Sequence, residues 1–237
     1  MEISALKRFY KAVTVVEADG GWRTLLDGRN IKTAGGAAQV VPTRALAEAM
    51  AEEWAGQGEE LDPTTFPLRD LADYAIDVVA SGHEDLVSAL LPYAETDTLC
   101  YRADPDEALH RRQVEVWDPI LAQAESRFAI RYARLSGILH KPQSPETLAA
   151  LRAELAARDP FTLAALRMLA SLSASLTVAL LAIEPQADVA ALWDAASLEE
   201  EWQADLWGRD AEAEERRAER LAAFTLAARF AELARAG

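Results

Sequence analysis

The sequence predicts an α+β fold, with a small N-terminal β-meander and helix domain over residues 1–62 and a larger all-helical domain over residues 63–237. Three observations point to it. Between Tyr10 and Val41 the runs KAVTVVEA, WRTLL, NIKT and AQVV are separated by Asp19-Gly20-Gly21, Asp27-Gly28 and Gly35-Gly36, which supply the positive φ that tight hairpins need. After Val79 apolar residues recur at helical spacing almost to the end. Asp104-Pro105, Asp118-Pro119, Ser144-Pro145 and Asp159-Pro160 each pair a capping residue with proline at the first helical position.

Taken in order, the four extended runs read as a four-strand meander. One face of so small a sheet must be covered, and the helix expected over residues 44–57 is the nearest cover. Leu46, Met50 and Trp54 lie one turn apart on it, beside Ala47 and Ala51. Thr43 is its expected N-cap, and Gly56 and Gly58 stop it. Past Pro63 and Pro67, a second stripe of Leu68, Leu71, Ala72, Ala75, Ile76 and Val79 leaves Asp70, Asp73 and Asp77 on another face, read as solvated. A helix over residues 83–95 bends at Pro92, and residues 96–102 form an ordered connector without glycine. Helices are expected to start at each of the four capped prolines. Trp117, Ile120, Leu121, Ala124 and Phe128 face inward from the second of them. Residues 161–184, rich in alanine and leucine, read as the buried centre of the bundle. The last third reads as two long helices, one ending in ALWDAASLEEEWQADLWG and one spanning residues 210–236. In the latter Leu221, Phe224, Ala228 and Phe230 or Ala231 supply the apolar edge.

Composition bounds the function. With 51% hydrophobic and 27% charged residues in 237, the chain is globular. The formal net charge of −15 is uneven: residues 1–42 hold six basic and four acidic side chains, leaving eighteen basic and thirty-five acidic beyond them. Such a body repels a phosphate backbone, so nucleic acid is not an expected partner. No apolar run is long enough to span a bilayer, and the N-terminal MEISALKRFYK lacks a signal peptide's apolar core and runs on into strand-like sequence without room for a transit peptide. One cysteine, Cys100, excludes an internal disulfide, and a cytoplasmic location is expected.

Residues that could carry chemistry are sparse. His83, His110 and His140 stand far apart, outside any zinc-binding spacing, so no metal site is expected. Cys100 lacks a nucleophile signature, and the glycine-rich AGG run lacks the GK[ST] ending of a phosphate loop, so neither catalytic residues, cofactor nor nucleotide are expected. Trp54 and Trp117 lie on apolar stripes and read as structural. Trp193, Trp202 and Trp207 are more informative, because they sit close together beside Glu199, Glu200 and Glu201. On a continuous helix Trp193 and Trp202 point about 180° apart, so one of them faces either a partner or another element.

Several motifs in series, LLDGRNIKT, EEWAGQ, TFPLRDLADYAID, ETDTLCYR, QVEVWDP and LEEEWQADLWG, resemble the assembly chaperones of the F-type ATP synthase alpha subunit, over nearly the whole chain. Relatives usually continue after the WG with an acidic segment containing His-Asp, where this chain has RDAEAEERR. The resemblance implies a small α/β domain, a larger helical domain and a function without catalysis. The protein would bind newly made alpha subunit and shield its beta-contacting surface until assembly. It would be a monomer when free, in the bacterial cytoplasm or, in eukaryotic relatives, the mitochondrial matrix. The expected partner-binding residues are Glu199, Glu200, Glu201, Trp202 and Trp207. The alternatives are an enzyme using acidic residues such as Asp97 and Asp118, or a generic helical adaptor.

Overall fold

A computed structural model describes residues 6–137 and 141–236. The chain packs as two compact units: Met1–Gly82 with Pro160–Ala165 and Arg229–Gly237, and His83–Asp159 with Leu166–Ala228.

In the first unit β1 (Val13–Ala18), β2 (Gly21–Leu26) and β3 (Arg29–Asn30) form an antiparallel sheet in that order, with Val13 opposite Leu26 and Ala18 opposite Gly21. Asp27 and Gly28, both at positive φ (48° and 75°), make the two-residue turn that the right-handed strand twist favours. The Asp27 carboxylate accepts from the backbone N–H of Ala12 (2.8 Å) and Lys11 (3.1 Å), which hold its pKa below the usual range. The expected fourth strand does not form. AQVV contributes one bridge through Val41, whose N–H and C=O both pair with Trp22 at 2.8 Å, and Ala38 bridges back to Lys32.

The reason lies in three aspartates that the sequence placed in solvent. Asp73 is buried; it accepts from Gln39 Nε2 (2.5 Å) and Ala34 N (3.0 Å). Asp77 accepts from Thr33 Oγ1 (2.6 Å) and Gly35 N (2.7 Å). These carboxylates satisfy the backbone of residues 33–39 that a strand ladder would have used, and of the three only Asp70 is exposed. They reach the loop from α2 (Pro67–Tyr74) and the π-helical turn Ala75–Val79 that continues it.

α1 (Arg44–Ala55) has Thr43 as its N-cap, accepting from Leu46 N at 3.1 Å. Its buried face carries Leu46, Ala47, Met50 and Trp54 against the sheet. Trp54 packs in a cluster with Tyr10, Leu26 and Phe66, its carbonyl accepting from Tyr10 OH at 2.6 Å. Glu53 caps the start of α2, accepting from Leu68 N (2.7 Å) and Arg69 N (3.0 Å). Late residues complete this unit: Thr43 Oγ1 donates to Leu233 O at 2.6 Å, and Phe161 stacks on Phe230.

The second unit begins with α3 (His83–Leu90) and α4 (Pro92–Glu95), broken at Pro92 as expected. A 3-10 turn at Thr98–Cys100 leads to β4 (Tyr101–Arg102), which pairs in parallel with β5 (Leu135–Ser136), too short a match to be read from sequence. The helices follow: α5 (Ala108–Phe128), α6 (Pro145–Ala156), α7 (Pro160–Ser173), α8 (Leu176–Ala182), α9 (Val189–Ala196), α10 (Leu198–Trp207) and α11 (Ala211–Arg235).

Two of the four proline starts hold, at Ser144-Pro145 and Asp159-Pro160. Asp104-Pro105 precedes a helix that begins only at Ala108, and Pro119 lies inside α5. Asp118 does not cap a helix because its carboxylate is taken by Arg102 (2.5 Å) and Arg134 (3.1 Å). Trp117, Leu121 and Ala124 are buried on α5, while Ile120 and Phe128 are half-buried. α8 is buried throughout.

Candidate partner-binding site

The motifs that looked most distinctive largely hold the second unit together. Gln113 Oε1 accepts from Ala103 N (2.9 Å) and its Nε2 donates to Glu199 Oε1 (2.6 Å), tying the β4 flank to α10 through α5. Trp117 is buried, and its Nε1 donates to Ala195 O at 2.7 Å near the end of α9. Asp97 is buried and accepts from Ser175 Oγ (2.7 Å), Thr177 N (2.9 Å) and Leu99 N (3.1 Å), so it caps α8 from a distance; burial raises its pKa against the opposing pull of those donors. Cys100 is buried too, with its thiol pKa driven far up by burial and by Asp97 beside it. Asp97 and Asp118, the acids of the enzyme alternative, are thus both committed to structural bonds. His83 Nε2 pairs with Arg158 O at 2.9 Å, and His140 lies outside the described residues. Among the described residues no group of three His, Cys, Asp or Glu is placed to hold a metal ion, and no helix is long and apolar enough to cross a membrane.

The tryptophan-glutamate segment is built differently. The expected continuous helix is broken at Ser197 (φ −91°, ψ 8°), which ends α9 and precedes α10. The two tryptophans therefore do not share one helical wheel. Trp193 is core, 1% exposed, with Phe224 at 5.4 Å and the Arg220 guanidinium at 5.4 Å from its ring. Trp202 is half-buried and lines a groove of about 580 Å³ with Val116, Ala191, Leu198 and Asp205. On α10 only Leu198 is fully buried. So short a helix with so little apolar burial depends on side-chain ties.

Those ties separate the three glutamates. Glu199 points inward to Gln113, half-buried, and burial raises its pKa while the Gln113 bond opposes the rise. Glu201 pairs with Arg217 (2.6 Å) and Arg209 (2.9 Å). Glu200 is the outward one, with only a surface pair to Arg220 at 3.2 Å. Beyond them α10 ends in Leu206 and Trp207, which are 64% and 86% exposed. Gly208 (φ 98°) then turns the chain, and Arg209 returns to Asp205 (2.9 Å) and Glu214 (3.1 Å). Leu206 and the arginines were missed in the sequence. The signal for Leu206 was two consecutive large apolar residues before a glycine stop, whereas nothing in spacing reveals that Arg217 folds back onto Glu201.

A small sheet-and-helix unit, a helical unit and an acidic edge with a bare tryptophan define a protein-binding factor. Comparison makes this specific. The family model described as ATP12 chaperone protein matches residues 7–125, and the chain belongs to that family of chaperones for ATP synthase assembly. It is 41% identical to Atp12 from Paracoccus denitrificans, whose crystal structure superposes with a TM-score of 0.92 over 97% of this chain and 99% of that one. An aspartate-to-lysine mutant of the P. denitrificans protein gives the same identity and TM-score, covering 97% and 98%. The mitochondrial protein atp12 of Schizosaccharomyces pombe is 27% identical over 221 residues, 86% of this chain and 74% of that protein.

Proposed function

We propose that this chaperone binds the free alpha subunit of the F-type ATP synthase and shields the surface that will meet beta subunits. One observation carries the location of the site: Leu206 and Trp207 stand exposed at the end of α10 among Glu200, Asp205 and their arginines. An aromatic anchor ringed by polar groups is the composition of a binding hot spot, and a tryptophan left this bare is unusual on a surface with no partner. In this reading Trp207 and Trp202 supply the apolar contact, Glu200 supplies an outward charge, and Glu199 and Glu201 hold α10 in place. The client leaves when a beta subunit takes over the covered surface. The setting is the bacterial cytoplasm, and the mitochondrial matrix in eukaryotic relatives.

The test is co-purification of alpha subunit with Trp207→Ala and with Glu200→Lys, beside melting curves of each variant alone. Both should lose capture and melt with the parent, since surface substitutions normally change stability by about 0.5 kcal/mol or less. Full capture by both variants would move the site off α10.

A further inference from the structure

The first unit carries a surface that the chaperone reading does not use. β1 is the edge of its sheet, and among the described residues no strand or bridge pairs with its outer side. The phase of the ladder fixes what that side offers. Asp27 N donates to Ala12 O at 2.9 Å, so the backbone groups of Ala12, Thr14, Val16 and Ala18 point toward β2. Val13, Val15 and Glu17 therefore direct their N–H and C=O groups outward. Trp22, exchanging both bonds with Val41 on the far side of β2, confirms the alternation.

Natural edges are usually guarded by proline, bulges or a central lysine. β1 has none of these, and its six pairs with β2 run without interruption. Its chemistry is also self-complementary. Reading residues 11–17 as Lys-Ala-Val-Thr-Val-Val-Glu and laying a second copy antiparallel about Thr14 puts Lys11 opposite Glu17, Ala12 opposite Val16 and Val13 opposite Val15. Each pair is of a favourable cross-strand type, and the outward-pointing residues meet one another as the ladder requires. Both charged ends are exposed, and neither side chain makes an ion pair among the described residues. A parallel arrangement in register would instead set Lys11 beside Lys11.

We propose that β1 is the pairing edge for a second copy of this chain, joining two three-stranded sheets across a two-fold axis at Thr14. A single strand edge is small beside the roughly 1,200–2,000 Å² of stable interfaces, so the dimer is weak and depends on concentration. This replaces the free monomer expected from sequence, where the phase of the edge could not be read.

Sedimentation equilibrium of the full chain over a concentration series tests it. The parent should show a monomer–dimer equilibrium. Glu17→Lys sets lysine against lysine twice and should weaken it about tenfold. Adding Lys11→Glu to that variant should restore the parent behaviour. Val15→Pro should abolish the dimer, because it removes an outward N–H and leaves the bonds to β2, with a melting curve confirming the fold. A parent that is monomeric throughout, a dimer indifferent to Glu17→Lys and Val15→Pro, or a charge swap that restores nothing would each overturn the proposal. So would a monomer whose capture of alpha subunit is lost in Val15→Pro, which would give the edge to the client.

Discussion

Gln113 donates to Glu199 at 2.6 Å, and this bond makes one of three adjacent glutamates a structural residue. Glu199→Gln keeps an oxygen acceptor for Gln113 and should preserve both melting temperature and capture of alpha subunit. Glu199→Lys leaves a half-buried amide without its acceptor and should cost about 1–3 kcal/mol. Urea denaturation of the two variants measures the difference, and equal loss in both would show that the carboxylate charge is what matters.

Trp54→Arg should be the most damaging of these substitutions. The ring lies 4.5 Å from Phe66 and 5.7 Å from Tyr10. Losing a buried aromatic costs about 3–5 kcal/mol before any penalty for the buried guanidinium. Loss of soluble protein, or a transition far below the parent's, is the expected outcome, with Trp54→Phe falling in between.

Asp97 gives a pH signature with a definite sign. Burial raises its folded pKa above the unfolded value of 3.8, so its contribution is fully present below that value and is lost as pH rises through the folded pKa. Asp97→Asn removes this dependence and also turns an amide N–H₂ toward Thr177 N or toward Ser175 Oγ and Leu99 N. The stability gap between parent and variant should therefore widen as pH falls from neutral toward 4, followed by urea denaturation at each pH. A gap independent of pH would mean that Asp97 titrates alike in both states.

Cys100 should be inert to alkylation in the native protein. Its sulfur is buried, and its thiol is held protonated by burial and by the nearby Asp97 charge. Iodoacetamide should label it only in denaturant, as read by intact mass. Native labelling at the rate of a free thiol would place it at the surface.

Local chemistry was legible wherever a signal acts over a few residues. Thr43, Ser144 and the Asp27-Gly28 turn did what their side chains and φ preferences dictate. Misreadings came where a distant group competed for the same atoms. Asp118 has the sequence of a cap, but Arg102 and Arg134 claim it and α5 runs on through Pro119. Asp73 and Asp77 have the spacing of a wet face, yet they bind residues 33–39 and so remove the fourth strand. The site was half legible. Trp207 showed in composition as a tryptophan beside acids, but which glutamate faced inward depended on Gln113, 86 positions away.

The first unit gathers its parts from both ends of the chain, with Thr43 bonded to Leu233 and Phe161 stacked on Phe230. Synthesis proceeds from the N-terminus, so the segment that leaves the ribosome first is the last to be completed. Until residues 229–236 emerge, Thr43 lacks its Leu233 acceptor and Phe161 lacks its ring neighbour. The nascent chaperone therefore passes through a stage in which its own sheet and α1 are unfinished, and it needs protection before it can provide any.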